Sequence, residues 1–264
     1  MSFIRYCLVS LFVLFASSCS KPRGDYEIYL GTISGPETEL VEIAKEVAKN
    51  KYNLHIKIVE FEDYNLPNVA LVDGSIDANM FQHEPYLNLA MHYKGFDLAI
   101  VGKTFVYPMG IYSKKYNSID SLPHNATIAI PIDPSNGARA LRLLANANLI
   151  EIPNVDDMHL RPTNIVKNPK NLHIVELDAA QLPRVLTDVD AAIINTNFAI
   201  PAGLIPAKHA IFLEDKQSPY ANIVVVRKKD KDHPKFTLLM EALHSDEVAT
   251  KARELFRDQA IQAW

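Results

Sequence analysis

The chain has 264 residues, of which 48% are hydrophobic and 22% are charged, and its formal net charge is −4. These values are typical of a globular protein with a substantial core, and the length allows two lobes of ordinary domain size. The sequence has no basic block and no basic stripe interleaved with aromatic residues. It therefore lacks the signature of a nucleic-acid-binding protein.

The N-terminus has the pattern of a secretory signal peptide. Residues 1–18 contain one charged residue, Arg5, followed by an apolar run over residues 6–16. That run is shorter than the roughly 20 apolar residues that span a bilayer. A basic start followed by a short apolar segment is typical of a cleaved signal. We therefore predict that residues 1–18 are removed.

The signal ends in the residues ASSC, which resemble the lipobox of bacterial lipoproteins, with Ala16 where Leu is usual. The resemblance implies cleavage before Cys19 and diacylation of its thiol. Cys7 is lost with the signal, so Cys19 has no intrachain disulfide partner. We predict a lipid anchor at Cys19 and a polar tether over residues 19–25; the alternative is an ordinary signal with an incidental cysteine. Ser20 resembles the signal that directs lipoproteins to the outer membrane, which leaves inner and outer membrane open.

Strand and helix patterns alternate along the remaining chain. Strands are predicted at 26–32, 54–61, 75–81, 96–105, 109–112, 126–131, 172–177, 191–194, 210–213 and 222–228. Helices are predicted at 34–50, 67–72, 137–147, 179–186 and 196–202, with one long helix over 234–263. This βα order predicts largely parallel sheets covered by helices.

Two such sets of units on a secreted, lipid-anchored chain predict an α/β fold of the two-lobed periplasmic binding protein kind, a type II-like venus flytrap. Parallel α/β sheets place their ligands near the carboxyl ends of the strands, so the ligand cleft is expected between the lobes. We place the first lobe at residues 26–107 plus 223–264 and the second at residues 108–222.

Four longer stretches carry a more specific signal, at residues 61–87, 130–144, 175–199 and 218–222. In this order they resemble the D/L-methionine-binding lipoproteins of bacterial ABC transporters. The resemblance implies a periplasmic receptor, not an enzyme, that captures methionine and delivers it to a membrane permease driven by an ATPase. It also implies a location on the bacterial cell membrane, facing the periplasm, and a protein that needs no cofactor.

The same resemblance implies a methionine site. Its residues lie in the motifs DYNLPN, FQHEPY, DPSNGAR, INTN and SPYAN. Carried over position by position, they are Tyr64, Phe81, His83, Tyr86, Arg139, Asn197 and Asn222. Phe198 stands where the family commonly has Tyr.

These residue types suit the chemistry of free methionine. A carboxylate removed from water needs a fixed cation, which the guanidinium of Arg139 offers, and Arg139 is expected in the first turn of a helix. The side-chain carbonyls of Asn197 and Asn222 are suitable acceptors for an ammonium group. Aromatic rings contact a thioether favourably.

Other interpretations of these residues stay open. Phe81 or Tyr86 alone is more often a core residue. His83, Glu84 and His92 suggest a metal site, but their spacing matches no common zinc pattern, so we expect no metal. DPSNGAR lacks the spacing of a phosphate loop.

Two alternative functions compete with the receptor. One is a lipoprotein of the same fold that acts as a surface adhesin or interaction protein. The other is a periplasmic hydrolase, which is disfavoured because the sequence has no G-x-S-x-G, no H-E-x-x-H and no catalytic cysteine. The sequence leaves L-methionine, D-methionine, a methionine dipeptide and a close analogue open as ligands.

Overall fold

The structure is a computed structural model that describes residues 24–153, 160–215 and 219–264. The predicted signal peptide, the lipidation site Cys19 and the tether as far as residue 23 lie outside these residues. Within the described ranges, no helix combines the length and apolar character needed to cross a bilayer.

The described part of the chain alternates strands and helices. In chain order they are β1 (Glu27–Ile33), α1 (Pro36–Tyr52), β2 (His55–Phe61), α2 (Pro67–Val72), β3 (Ala78–His83), α3 (Glu84–Lys94), β4 (Leu98–Val106), β5 (Gly110–Tyr112), β6 (Thr127–Pro131), α4 (Pro134–Asn146), β7 (His173–Leu177), α5 (Leu182–Val185), β8 (Ala191–Ile194), α6 (Thr196–Ala199), α7 (Pro206–His209), β9 (Ala210–Leu213), β10 (Ala221–Arg227), α8 (Pro234–Leu243), α9 (Asp246–Phe256) and β11 (Ile261–Gln262).

The strands form two sheets, one for each lobe, which confirms the predicted two-lobed α/β fold. The first sheet has six strands in the order β11-β4-β10-β3-β1-β2, and the second has five in the order β7-β6-β8-β5-β9. The chain passes to the second sheet between Val106 and Gly110 and returns between Leu213 and Ala221. The predicted lobe limit at residue 222 falls within β10.

The prediction of largely parallel sheets is wrong, because both sheets are mixed. In the first, β1 pairs in parallel with β2 and β3, but β10 is antiparallel to β3 and β4. In the second, β6 is parallel to β7 and β8, whereas β5 is antiparallel to β8 and β9. Strands β5 and β10 run antiparallel to their neighbours because they enter a sheet directly from the other lobe, and the C-terminal β11 is also antiparallel to β4.

Each sheet has helices on both faces. Along β10, Val224 and Val226 contact the core under α1, α8 and α9, whereas Ile223 and Val225 contact the core that includes residues of α2 and α3. Successive side chains of a strand point to opposite faces, so a strand buried on both faces reads as a continuous apolar run. The second sheet is built in the same way, with α4 on one face and α5 and α6 on the other.

The predicted long helix over 234–263 is wrong. The chain forms α8, then α9, and ends in the short strand β11. The break lies at Ser245, whose hydroxyl accepts a hydrogen bond from the backbone N–H of Val248 and so begins a new helix. Arg257 and Asp258 then adopt left-handed conformations, with φ of 49° and 60°, which turn the chain towards β11.

Several other helix boundaries differ from the predictions. Helix α4 begins at Pro134, before the predicted residue 137, because Asp133 accepts from the N–H of Asn136 at 2.9 Å and caps the helix. Arg139 therefore lies in the second turn of α4, and its expected place in the first turn is wrong. Helices α3 and α7 are not predicted, and the predicted helix over 196–202 is shorter. The predicted helix over 179–186 is confirmed as a 3-10 turn (Ala179–Gln181) that continues into α5. The predicted helix over 67–72 is confirmed as α2.

Candidate ligand-binding cleft

The cleft lies between the lobes, beside the end of β3. All six residues of β3 are buried, and the strand delivers Phe81 and His83 to its carboxyl end. Pro85 then occupies the first turn of α3, and the Nδ1 atom of His83 accepts a hydrogen bond from the N–H of Tyr86 at 3.3 Å. The spacing of these residues therefore reflects a strand that turns directly into a capped helix.

Aromatic rings form one wall of the cleft. The ring centroid of Tyr64 lies 5.8 Å from that of Phe81 and 6.1 Å from that of Tyr86. The hydroxyl of Tyr86 donates to the backbone oxygen of Tyr64 at 2.9 Å, which fixes both residues. Phe198 of the second lobe packs on Tyr64 with centroids 4.9 Å apart. The wall is thus shared by the two lobes.

His83 is held as a neutral donor. Burial, with a contribution from the Arg139 charge, lowers the pKa of His83 from 6.5 to about 3. Because Nδ1 accepts from Tyr86, the proton is on Nε2, which donates to Oδ1 of Asn136 in the second lobe at 3.2 Å. The Nδ2 group of Asn136 donates in turn to both carboxylate oxygens of Asp133 at 3.1 Å.

The guanidinium of Arg139 is fixed on three sides. Its Nε donates to Glu214 at 2.9 Å, and Nη2 donates to the other oxygen of that carboxylate and to the backbone oxygen of Tyr107 at 2.9 Å. The guanidinium lies 4.4 Å from the ring centroid of Tyr220. Among the described residues Nη1 has no hydrogen-bond partner, so this nitrogen remains available on a side chain that is only 4% exposed.

At the first-lobe side of the cleft, two amides meet a buried carboxylate. The Nδ2 atoms of Asn197 and Asn222 each donate to Glu37 at 2.7 Å, one to each carboxylate oxygen. Burial raises the pKa of Glu37 to about 7, although both hydrogen bonds act to lower it. The Oδ1 atom of Asn197 is buried and has no hydrogen-bond partner among the described residues.

The structure brings all seven predicted side chains to this one cleft. Five further residues of the cleft were not predicted, namely Gln82, Tyr107, Asn136, Asn195 and Thr196. All of them except Tyr107 stand inside the quoted motifs FQHEPY, DPSNGAR and INTN, so the motifs could have indicated them. Glu37 and Glu214 lie outside these motifs.

The cleft has no metal site in the described part of the chain, where no group of three or more His, Cys, Asp and Glu residues has the arrangement to hold an ion. The charged group that lines the cleft is instead Arg139, which is paired with Glu214, and the carboxyl of Glu37 lies behind the amides of Asn197 and Asn222. A fixed cationic donor and buried acceptors beside an aromatic wall suit a small zwitterion with an apolar side chain.

Known proteins are similar to this chain in both sequence and fold. A model of the NlpA lipoprotein family matches residues 28–264. A relative from Escherichia coli (strain K12), the D-methionine-binding lipoprotein MetQ, is 47% identical over 90% of this chain and 88% of its own.

Solved structures agree with these sequence matches. A periplasmic substrate-binding protein of an ABC transporter from Coxiella burnetii is 54% identical, with a TM-score of 0.86 over 89% of this chain and 100% of its own. A nutrient-binding protein from Burkholderia cenocepacia, solved bound to methionine, is 45% identical, with a TM-score of 0.88 over 90% of this chain and 100% of its own. The predicted resemblance is confirmed, and the chain belongs to the NlpA lipoprotein family.

Proposed function

We propose that this protein is a substrate-binding lipoprotein that captures methionine and delivers it to an ABC-transporter permease. The proposal rests on one observation, which is that a cationic donor and a buried acceptor face the same cleft beside an aromatic wall. The donor is Nη1 of Arg139, whose guanidinium is fixed, and the acceptor is Oδ1 of Asn197, which has no partner among the described residues. The relatives named for D-methionine binding and the methionine-bound structure from Burkholderia cenocepacia support the choice of ligand.

The ligand carboxylate would bind Arg139. Glu214 and the Tyr107 carbonyl occupy Nε and Nη2, so Nη1 is the donor that remains for a second carboxylate. The ion pair with Glu214 prevents rotation of the guanidinium, so that little side-chain entropy is lost on binding.

The ligand ammonium would be held by Asn197 and Asn222. Both amides direct Nδ2 to Glu37, which leaves their oxygens as acceptors. The thioether would contact the rings of Tyr64, Phe81, His83 and Tyr86. Contacts between sulfur and an aromatic ring contribute ~0.3–1.5 kcal/mol each.

Binding would couple to closure of the lobes. Phe81 and His83 belong to β3, and Tyr64 lies in the loop between β2 and α2 of the same lobe, whereas Arg139 and Asn197 belong to the second lobe. We propose lobes close to the predicted residues 26–107 plus 223–264 and 108–222, with the second limit moved to the start of β10 at Ala221, so that Asn222 belongs to the first lobe. A ligand that touches both lobes has a higher affinity for the closed state, which is what a closing receptor requires.

The experiment that tests the function is mass spectrometry of small molecules released by denaturing the full-length protein, purified in detergent. We expect about one methionine per chain, and chiral analysis would identify the isomer. Release of another amino acid or a peptide would refute methionine as the ligand. If nothing is released, calorimetric titration with methionine decides, and absence of binding would reject the proposal.

We further propose that the lipid on Cys19 anchors the protein to a membrane, facing the periplasm. Cys19→Ala is expected to give a soluble protein with unchanged methionine affinity. If the variant still sediments with membranes after a high-salt wash, the anchor is not at Cys19.

A further inference from the structure

We propose that Glu37 is a positioning residue that orients the amides of Asn197 and Asn222 and thereby selects ligands that carry an ammonium group. This inference rests on the proposed function and adds to it the residue that reads the amino end of the ligand. Glu37 has no place in the motifs of the sequence and is not in direct contact with the cleft.

When Glu37 is ionised, the geometry leaves the two amides one orientation. Glu37 lies in the first turn of α1 with 1% of its surface exposed, and each of its oxygens accepts one amide at 2.7 Å. An ionised carboxylate only accepts hydrogen bonds, so an amide that faces it must present nitrogen. The nitrogen and oxygen of an amide diverge from the same carbon. The oxygens of Asn197 and Asn222 therefore point away from Glu37.

The result is an acceptor without a donor. Oδ1 of Asn197 is buried and has no hydrogen-bond partner among the described residues, although the side chain lines the cleft. A buried acceptor without a hydrogen-bond partner raises the free energy of the empty cleft, and a ligand with a donor at this position binds more tightly because it removes that cost. An ammonium group satisfies this acceptor and also places a positive charge near the Glu37 carboxylate.

Asn197 and Glu37 belong to different lobes, so the orientation of Asn197 is set only when the lobes are together. Asn222 contacts Glu37 from the same lobe, through β10, where it pairs with His83 of β3. The acceptor for the ammonium is therefore completed by closure itself.

The environment of Glu37 makes its charge sensitive to the ligand. Burial raises the pKa of Glu37 to about 7, so part of the population carries a proton at neutral pH. The positive charge of a neighbouring ammonium favours the ionised form and therefore loss of this proton. Other titratable groups around it do not change charge near neutral pH: burial raises the pKa of both Tyr64 and Tyr107, and lowers that of His83. Arg139 is paired with Glu214, and Asp133, whose pKa burial raises, lies behind Asn136.

The test compares two ligands on two variants of the full-length protein. The ligands are methionine and 2-hydroxy-4-(methylthio)butanoate, which keeps the carboxylate and the thioether but replaces the ammonium by a neutral hydroxyl. Glu37→Gln removes the charge and puts an NH₂ group opposite one of the amides, which must then turn its oxygen inward. Glu39→Gln is the matched control, because Glu39 is exposed on the same helix.

We expect Glu37→Gln to weaken methionine binding in calorimetry by roughly ten- to hundredfold, the range for lost hydrogen bonds to charged groups. Binding of the hydroxy analogue should change less than about threefold, and Glu39→Gln should change neither. An equal loss for both ligands would indicate a purely structural role and overturn the inference. So would unchanged methionine binding.

A second measurement needs no variant and covers the case in which Glu37→Gln does not fold. Calorimetry of the wild type at pH 7, in buffers of different ionisation enthalpy, should detect release of up to about half a proton with methionine and none with the hydroxy analogue. Proton release with the hydroxy analogue as large as that with methionine would overturn the role of Glu37 alone. Absence of methionine binding would overturn the proposed function as well.

Discussion

Replacement of Glu214 by Gln tests whether the Arg139–Glu214 pair fixes the anion site. The side chains of Arg139 and Glu214 are 4% and 11% exposed, so solvent screens their charges little. Loss of one partner of such a pair costs about 3–5 kcal/mol, and we expect the lower value because Gln keeps one acceptor oxygen. The midpoint of thermal unfolding should then fall by roughly 6–12 °C.

Methionine should restore much of this stability, because its carboxylate becomes the counter-ion of Arg139 in the variant. Circular dichroism melts with and without saturating methionine measure both effects, and calorimetry should show that affinity is retained or increased. Glu42→Gln is the control, since its ion pair with Lys45 is exposed and contributes at most about 1 kcal/mol. Equal melting of the two variants, or parallel loss of stability and methionine binding in Glu214→Gln, would refute the reasoning.

Three further predictions concern single side chains. Arg139→Ala should lower methionine affinity more than a hundredfold in calorimetry, since a buried charge without its partner costs ~3–5 kcal/mol; retained tight binding would remove Arg139 from the site. Tyr112→Phe should leave the free energy of unfolding in urea unchanged or raise it by about 1 kcal/mol, because the buried Tyr112 hydroxyl has no partner among the described residues; a clear loss would reveal a partner. His83 is neutral when folded and binds a proton more readily when unfolded, so its contribution to stability is lost as the pH falls from 6.5 to about 3. In His83→Asn this loss should be absent, so that between pH 6.5 and pH 3 its free energy of unfolding should fall by roughly 5 kcal/mol less than that of the wild type. Parallel pH profiles of the two proteins would contradict this.

The parts of the molecule that follow from local patterns were predicted well. Helix α2 and strands β1 to β10 were predicted from apolar periodicity, whereas β11 was not. The residues of the FQHEPY motif meet in space because a strand and the following helix are adjacent, so a resemblance in sequence carries their geometry with it.

What was missed depends on contacts between distant residues. Glu37 reaches Asn222 across 185 positions and Glu214 reaches Arg139 across 75, and no local pattern marks either carboxylate as buried. The mixed sheets were missed for the same reason, since the direction of β10 depends on where the chain returns. The prediction of one helix over 234–263 is wrong at Ser245, because the Ser245 hydroxyl caps the start of a new helix although the apolar spacing continues on both sides.

The insertion of β10 between β3 and β4 also sets an order of assembly during synthesis. Strands β1 to β4 emerge first, but β3 and β4 are not neighbours and are joined only through β10, which begins at Ala221. The second sheet is built from one continuous stretch, from β5 to β9, and has all its strands before then. We therefore expect the second lobe to fold first, and the first sheet to be completed only when almost the whole chain has left the ribosome.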